Sequence, residues 1–401
     1  MSRGVIVVAS AEAHVEIERL ASGGDGIGRL ADGCAIFVPF SAPGDRLRVR
    51  IVERKAHHAR GEIIEIERRG PARRTARCAV FGVCGGCAWQ HLEYEAQLEA
   101  KSAILLDALE RIGRLSPPDL VSLHGSPDEF GYRTRARVVV AGGRVGFRRV
   151  RSHQIQPIET CPVLAPEVDA LLDEAASIGV QLGTPAEIEL SAGTGGPARA
   201  TRVGDDAAVG SVELAVAGDR LRVSPGVFAQ ANRSLLALLR AAVLRSAGEG
   251  RRVAELFAGG GLFTLGLARR FERVLAVEAQ QRATDDLAFN LEQAGLRGGV
   301  EIWTQPVERA LTQLADFEPE VVVLDPPRSG LERLACERLG RLGAGRIVYL
   351  SCDPATLARD LRWLCESGYE IEHLEGFDLF PQTHHVEALA VLTISGGQPG
   401  G

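Results

Sequence analysis

Short apolar runs rich in branched residues alternate with helical patterns over the last part of the chain. The runs RVAELF, RVLAVE, VEIWTQ, EVVVLD and RIVYL are typical of strands, and the segment 284–294 carries apolar residues at helical spacing. Each apolar run is nearly continuous, as expected for a strand that is covered on both faces. The pattern predicts an α/β domain with a doubly wound, mainly parallel sheet over residues 221–401.

The first part of the chain has a different pattern, in which apolar and polar residues alternate between glycine-containing turns. The alternating segments are HVEIERL, GGDGIGRL, CAIFVPF, DRLRVRIVE and ARGEIIEIE. They predict a small OB-like β-barrel over residues 1–70, a shape that often binds oligonucleotides.

Residues 71–220 are predicted to form a central α/β domain. A leucine stripe predicts a helix from Tyr94 to about Arg111, and TRARVVVAGGRVGFRRVRSH predicts a hairpin with one basic face around a Gly-Gly turn. Asn232 is a candidate cap for the helix that leads into the last domain.

Composition narrows the class of protein. A hydrophobic fraction of 45% and a charged fraction of 24% are ordinary for a soluble globular chain. The N-terminal run MSRGVIVVAS is too short for the core of a signal peptide, and no apolar stretch approaches the roughly 18 residues of a membrane span. We therefore expect a cytoplasmic protein without membrane contact, and a monomer.

Positive charge is concentrated in the first half of the chain, although the net charge is −6. Residues 45–77 carry eleven Lys or Arg against five Asp or Glu, and residues 133–151 carry seven Arg and no acid. On charge alone, an RNA-binding surface and an ordinary solvated face explain these runs equally well.

Three cysteines have the spacing of metal ligands. Cys78, Cys84 and Cys87 form a C-x5-C-x2-C pattern whose Gly-Gly pair allows the backbone to curve around a metal centre, and Cys161, followed by proline, is the candidate fourth ligand. The irregular spacing and the Cys-Pro pair favour a structural [4Fe-4S] cluster over zinc. Unligated cysteines are the remaining alternative.

A second type of cysteine ends a predicted strand. Cys352 follows the run RIVYLS, and a helix begins directly after it with Asp353 as a cap and Pro354 at its first position. Open α/β sheets bind ligands at this edge, and the dipole of the helix is expected to lower the pKa of the thiol. The alternative is a buried cysteine that acts as a small hydrophobic residue.

Other strand ends carry further candidate groups. The loop 258–261 is rich in glycine, and Glu278 ends the next strand, a combination found in both dinucleotide and S-adenosylmethionine sites. Asp325 and Arg328, in the sequence DPPR, are placed to meet a cofactor or base and to oppose charge on a substrate oxygen; a plain turn is the alternative.

The last predicted strand begins near Glu387, a candidate general base whose alternative is a solvent-facing acid. His384 and His385 precede it. Adjacent histidines on a strand would point to opposite faces, so we do not expect them to share a metal.

Taken together, these motifs resemble the family of RNA 5-methyluridine (uracil-C5) methyltransferases that depend on S-adenosylmethionine, along nearly the whole chain. GDGIGRL and FVPFSAPGD resemble its N-terminal TRAM domain, and CAVFGVCGGCAWQHLEYEAQLEAK with the later CP resembles its cluster region. FAQAN and ELFAGGGLFTL resemble its cofactor site, and DPPR, SCDPATLARD and FPQTHHVE its catalytic motifs.

The resemblance implies a Rossmann-like methyltransferase domain and a role for each matched residue. Cys352 would be the nucleophile that adds to carbon 6 of uracil and Glu387 the proton acceptor. In that reaction Arg328 or a nearby donor would stabilise the enolate oxygen. The implied cofactor contacts are Gln230, Phe257, Gly259, Glu278 and Asp325. The implied [4Fe-4S] ligands are Cys78, Cys84, Cys87 and Cys161.

Two positions depart from the family pattern. Leu262 stands where many members have Asn or Thr beside the cofactor, so we do not include it in the site. Asp353 replaces the commoner Asn after the nucleophile, and its charge is expected to raise the pKa of the thiol.

The implied substrate is a uridine in RNA. The cluster favours ribosomal RNA, because many transfer-RNA enzymes of the family lack it, and a transfer-RNA target stays an alternative. Methylation of cytosine C5 and a non-catalytic RNA-binding or assembly factor are two further readings, and the intact Cys352 and Glu387 speak against the last.

Overall fold

The computed structural model describes residues 11–116, 123–183, 185–205 and 207–394. The expectation for the N-terminal apolar run lies outside these residues. They form two compact units: the barrel unit (11–104, 147–156 and 380–385) and the sheet unit (the remaining described residues). In the described part of the chain, the helices are too short or too polar to cross a bilayer.

A closed five-stranded barrel lies at the start of the barrel unit, which confirms the predicted barrel. The strand order is β1-β2-β3-β5-β4, with bounds β1 (Glu12–Leu20), β2 (Gly26–Arg29), β3 (Ala35–Val38), β4 (Arg46–Arg54) and β5 (His58–Arg68). Alternate residues of the strands point inward, so that the interior is filled by Val15, Ile17, Ile36, Val38, Leu47 and Val49.

A buried carboxylate joins the barrel to the segment that leaves it. Asp45 is fully buried; its oxygens accept from the amides of Ala42 (2.7 Å) and Gly70 (2.8 Å) and from the Arg73 guanidinium (2.5 Å). Burial opposes the charge, but the Arg73 side chain and the two amides together lower the pKa of Asp45 below its ordinary value.

The predicted helix and hairpin of the central region are both present. Helix α1 (Tyr94–Ala108) continues as a π-helical turn to Gly113. Strand β6 (Leu123–His124) lies before the hairpin. The hairpin consists of β7 (Arg135–Ala141) and β8 (Arg144–Arg148), and the short strand β9 (Ile155–Pro157) follows it. Gly142 and Gly143 both have positive φ (57° and 71°), which the tight turn between β7 and β8 requires.

Two small sheets complete the central region. The helices are α2 (Pro166–Asp169) and α3 (Leu172–Leu182), and the strands are β10 (Ala186–Ser191), β11 (Arg199–Arg202), β12 (Val212–Val216) and β13 (Asp219–Val223). One sheet has the order β11-β10-β7-β8-β9, and β12 and β13 pair as a hairpin.

The sheet that carries the predicted ligand edge has eight strands. The remaining helices are α4 (Arg233–Ala247), α5 (Thr264–Leu267), α6 (Gln281–Gln293), α7 (Val307–Ala310), α8 (Arg333–Arg341) and α9 (Pro354–Glu366). The remaining strands are β14 (Gly250–Leu256), β15 (Phe271–Glu278), β16 (Val300–Thr304), β17 (Val321–Leu324), β18 (Arg346–Ser351), β19 (Tyr369–Phe377) and β20 (Glu387–Ile394).

Its order is β16-β15-β14-β17-β18-β20-β19-β6. The pairings from β16 to β18 are parallel, whereas β20 runs antiparallel to both β18 and β19. The mainly parallel doubly wound sheet is therefore confirmed. Both predicted caps are also present: Asn232 accepts from the amides of Ser234 and Leu235, and Asp353 accepts from those of Ala355 and Thr356.

One local expectation is wrong. His384 and His385 do not lie on a strand, because β20 begins only at Glu387 and Gln382 adopts a left-handed turn conformation (φ 68°). As a result the two imidazole rings do not point to opposite faces; their centroids are 4.3 Å apart.

Replacement of Asp45 by Asn is expected to destabilise the barrel by about 3 kcal/mol, because it leaves the Arg73 charge without its buried partner. The folded-state pKa of Asp45 is lowered, so the stability that the carboxylate contributes is present above about pH 4 and is lost as the pH falls through the folded-state pKa. Hydrogen exchange of barrel amides, measured from neutral to acidic pH, gives this difference.

The matched control is Asp32→Asn, at an exposed acid whose side chain accepts from the Cys34 amide on the same barrel. Equal protection of barrel amides in the two variants would contradict a stabilising role for the Asp45–Arg73 pair.

Candidate active site

The pairing of β18 with β20 places a thiol opposite a carboxyl group. Ser351 pairs with Ala388 in antiparallel register, so the next position places Cys352 opposite Glu387. β14, β15 and β17 run parallel to β18 and end at the same edge. The structure thus gathers the predicted strand-end groups at the edge where open α/β sheets bind ligands.

The thiol of Cys352 is partly exposed, but its surroundings oppose ionisation. Burial raises the pKa of Cys352 to about 11, and the charges of Glu387 and Asp325 add to the rise. Arg328 hydrogen-bonds to the thiol and acts in the opposite direction. The expectation that the helix dipole would lower the thiol pKa is therefore wrong for this state of the site, since desolvation and two acids outweigh it.

The pKa of the Cys352 thiol is raised, as expected, but Asp353 is not among the causes of the rise. The Asp353 carboxylate accepts from the amides of Ala355 (3.0 Å) and Thr356 (2.9 Å), and the acids that raise the thiol pKa are Glu387 and Asp325. Asp353 acts here as the cap of α9.

Glu387 is 1% exposed, and within the described residues its Oε1 has no hydrogen-bond partner. Burial raises the pKa of Glu387 well above its ordinary value; the charge of Asp325 adds to this and Arg328 opposes it. Burial also raises the pKa of Asp325 to about 7. At neutral pH the Cys352 thiol is consequently protonated, and burial makes Glu387 a stronger base than an exposed carboxylate once it has lost its proton.

The glycine loop after β14 is shaped to approach a ligand closely. Phe257 has a positive φ (63°), which is strained for an aromatic residue, and Gly259 has φ 54° with open space where a Cβ would lie. Glu278 accepts from the amide of Gly259 at Oε2 (3.0 Å) and from that of Gln280 at Oε1 (2.8 Å). Each carboxylate oxygen retains a lone pair for a further donor.

Gln230 is buried in the loop that precedes α4. This loop lies beside the glycine loop: a Cβ on Gly260 would be 3.9 Å from the Val227 side chain. Asn290 of α6 donates to the Gly260 carbonyl (2.9 Å) and fixes the other side. The geometry brings the predicted cofactor contacts into neighbouring loops.

Some groups at this edge were not predicted. Glu255 of β14 is 2% exposed; burial raises its pKa to about 8, and the charges of Asp325 and Glu278 contribute to the rise. The only signal in the sequence is an acid inside an apolar strand. Asn290, on the buried face of α6, has no comparable signal.

The candidate cluster ligands are divided between the two units. Cys78, Cys84 and Cys87 lie in one turn-rich loop of the barrel unit, and Cys161 belongs to the sheet unit. Burial raises the pKa of the Cys84 thiol, and the nearby Cys78 adds to the rise. Among the described residues, no three or more His, Cys, Asp or Glu are arranged closely enough to hold a metal ion.

The cysteine loop is nevertheless held in place within its unit. The amide of Gly85 donates to the carbonyl of Arg148 (2.9 Å), and the amide of Val150 donates to that of Val83 (3.0 Å). A Cβ on Gly85 would lie 3.0 Å from the Arg148 carbonyl oxygen, so glycine permits this close approach.

Comparison with known families agrees with the motif resemblance. The family described as tRNA (uracil-5-)-methyltransferase matches residues 198–394, and the TRAM domain matches residues 11–64. The second match confirms the type of barrel that was predicted.

Relatives match over almost their whole length. The 23S rRNA (uracil(1939)-C(5))-methyltransferase RlmD of Chromohalobacter salexigens is 34% identical over 94% of this chain and 89% of its own. An uncharacterized RNA methyltransferase of Gloeobacter violaceus is 31% identical over 94% of this chain and 95% of its own.

A solved structure has the same fold. The tRNA (uracil-54, C5)-methyltransferase of Pyrococcus abyssi, in complex with S-adenosyl-L-homocysteine, gives a TM-score of 0.72 at 25% identity and covers 95% of this chain and 100% of its own.

The environment of Cys352 predicts how its alkylation depends on pH. Because the pKa is raised to about 11, the rate should increase about tenfold per pH unit between pH 7 and 10 without a plateau. Arg328→Ala should slow alkylation at a given pH, since it raises the thiol pKa further. Glu387→Gln should accelerate it. Peptide-resolved mass spectrometry after iodoacetamide pulses measures each rate.

Cys34, a barrel cysteine far from this edge in sequence, serves as the internal reference, and its rate should be the same in every variant. A plateau for Cys352 below pH 8, or equal rates in the two variants, would contradict the described electrostatics.

Proposed function

Since this chain belongs to the family of S-adenosylmethionine-dependent RNA uracil-C5-methyltransferases, we propose that it methylates carbon 5 of one uridine in ribosomal RNA, with Cys352 as the nucleophile. The observation that carries this proposal is the β18–β20 register, which sets a thiol opposite a buried carboxyl group beside Asp325 and Arg328. This set of groups suits covalent activation of a pyrimidine.

The proposed cofactor site is formed by the loops around the glycine turn. Glu278 is oriented by two backbone amides so that its free lone pairs can accept from ribose hydroxyls, and Gly259 leaves room for the nucleoside. Gln230, Phe257 and Asp325 complete the proposed contacts. S-adenosylmethionine, when bound, supplies an electrophilic methyl group on its sulfonium.

The proposed reaction begins at Cys352. The thiol loses its proton to solvent and its sulfur adds to carbon 6 of the uracil, which moves the electron pair of the C5–C6 double bond into an enolate. Arg328, which is already hydrogen-bonded to the thiol, donates to the enolate oxygen as its negative charge develops. Carbon 5 then attacks the methyl group, and the carbon–sulfonium bond breaks.

Glu387 completes the proposed reaction. It must be ionised at this step, and its raised pKa then makes it a strong base for the carbon 5 proton. Loss of that proton re-forms the C5–C6 double bond and expels the Cys352 sulfur. Over the whole reaction, carbon 5 of the uracil gains one methyl group and loses one proton.

Ribosomal RNA is the proposed target because the relative at 34% identity is named for a uracil of 23S rRNA, whereas the transfer-RNA enzyme is 25% identical. The base must leave its stack to lie between Cys352 and Glu387, which favours a single-stranded or loop region. The TRAM barrel and the arginine-rich hairpin are the proposed RNA-binding surfaces.

A [4Fe-4S] cluster is proposed for Cys78, Cys84, Cys87 and Cys161. An all-thiolate donor set suits iron–sulfur chemistry, and three of the cysteines share one loop whose backbone is fixed by hydrogen bonds. Within the described ranges the four thiols are not arranged around a metal, and a bound cluster would hold them together.

RNA that contains 5-fluorouridine tests the covalent step. Fluorine cannot leave carbon 5 as a proton, so the wild-type enzyme with S-adenosylmethionine should accumulate a methylated protein–RNA adduct. Cys352→Ala should form none. Glu387→Gln should form an adduct on ordinary uridine RNA that resolves at least about a hundredfold more slowly than in wild type. Denaturing gels and mass spectrometry of the adduct report both effects.

The experiment is run in parallel on 23S rRNA and on transfer RNA that lacks 5-methyluridine. An adduct on 23S rRNA alone supports the proposal; an adduct on transfer RNA alone reassigns the target. Absence of any adduct with wild-type protein on both RNAs contradicts the proposed function and favours a non-catalytic RNA-binding factor.

Metal analysis tests the cluster. Protein purified without oxygen should contain about four iron and four sulfide per chain, and Cys84→Ser should lose both. Cys34→Ser and Cys365→Ser, at cysteines outside the proposed set, should retain them. Zinc without sulfide in the wild type would contradict this assignment.

A further inference from the structure

A carboxylate that the reaction does not use is completely buried on the helix that follows Cys352. Asp360 lies on α9 and is 0% exposed. Its Oδ2 accepts from the amide of Leu331 (2.7 Å) and from the hydroxyl of Tyr349 (2.7 Å), and its Oδ1 accepts from Nε of Arg359 (2.8 Å). The side chain therefore links α9 to β18 and to the loop after β17.

Arg359 binds the same loop through its other nitrogen. Its Nη2 donates to the carbonyls of Ser329 (2.8 Å) and Leu331 (2.8 Å), while the guanidinium packs 4.9 Å from the ring of Trp363. Gly330 has a positive φ (68°), and a Cβ there would lie 2.3 Å from Asp360 Oδ2. The close approach of loop and carboxylate thus requires glycine at this position.

We propose that Asp360 and Arg359 form a clamp that positions Arg328 against the Cys352 thiol. The clamp holds residues 329–331, directly after Arg328, through three hydrogen bonds to their backbone. Asp360 and Arg359 are positioning residues, since they touch the loop and not the reacting atoms. This inference rests on the proposed function for its catalytic consequence, but not for its effect on the thiol.

The need for a clamp follows from the character of the loop. β17 ends at Leu324 and the loop contains two successive prolines, which provide no amide for a sheet ladder. Arg328 is on the exposed surface of the loop, so its contact with the thiol depends on where the backbone is held. The bond from the Gly330 amide to the Pro327 carbonyl closes the turn but does not attach it to a neighbouring element.

The choice of a buried carboxylate also argues for positioning. An apolar residue would fill the space at lower desolvation cost, but it would leave the Leu331 amide and the Tyr349 hydroxyl without a shared acceptor. Two oxygens in one plane can accept from α9, β18 and the loop together. The carboxylate therefore fixes three elements relative to one another, and two of them lead into Arg328 and Cys352.

Asp360→Asn and Arg359→Lys test the clamp. Asn presents a donor where the carboxylate accepted, and Lys has no second nitrogen to bind Asp360 while the first binds the two carbonyls. In both variants we expect Cys352 alkylation at pH 8 to slow at least threefold, as in Arg328→Ala. We also expect kcat for methyl transfer to fall at least tenfold while KM for RNA changes less than threefold. Arg359→Lys keeps the test open if Asp360→Asn does not fold.

The matched control is Arg362→Lys, on the same helix, whose guanidinium donates to the Ile112 carbonyl and not to the loop. It should leave both rates unchanged. Asp360→Asn combined with Arg328→Ala should be no slower than Arg328→Ala alone, because the carboxylate acts through that arginine.

The proposal is overturned if the single variants lower the melting temperature but leave Cys352 alkylation and kcat as in wild type, or if the two losses multiply in the double variant. Alkylation needs no RNA, so its pH profile tests the clamp even if methyl transfer fails. Normal methyl transfer with unchanged alkylation in both clamp variants would reject the clamp and leave the proposed function intact.

Discussion

The antiparallel pairing of β18 with β20 is the constraint on which the site depends. In a purely parallel sheet only carboxyl ends meet at the ligand edge, whereas an antiparallel neighbour brings the start of its own strand to that edge. Cys352 and Glu387 are opposite each other for this reason. Most residues of both strands are buried, and a slip of one residue would turn Glu387 to the other face of the sheet, so core packing fixes the register.

The same core sets the electrostatics. Because it excludes water, Glu255, Asp325 and Glu387 are all desolvated at one edge and their pKa values are raised. Burial and the charges of Glu387 and Asp325 in turn keep the Cys352 thiol protonated, and Arg328 is the cation that opposes them. The packing that defines the geometry therefore also raises the pKa values of these acids and of the thiol, so the fold of the sheet sets the conditions for reaction.

Local patterns in the sequence were sufficient for the strand ends, the glycine loop and the cap at Asp353, since each depends on neighbouring residues. They could not give the direction of β20, because a buried strand has the same apolar sequence pattern in parallel and in antiparallel pairing. Nor could they give the raised pKa of Cys352, because it results from burial of the thiol and from Glu387 and Asp325, which are distant in the chain. The role of Asp360 is not visible in the sequence for the same reason, since its carboxylate accepts from a loop about thirty residues earlier in the chain.

A neutral thiol is compatible with the proposed reaction if one cation can stabilise the negative charge at each position that it occupies. The charge begins on the Cys352 sulfur, passes to the enolate oxygen and returns to sulfur when the product leaves. A permanently lowered thiol pKa would stabilise the charge on sulfur but not the charge on the enolate oxygen, and it would weaken the nucleophile. Arg328 can stabilise each state in turn, provided that its loop does not move with the charge. Fixed positioning of that loop, rather than a reactive resting thiol, then becomes the main requirement for catalysis.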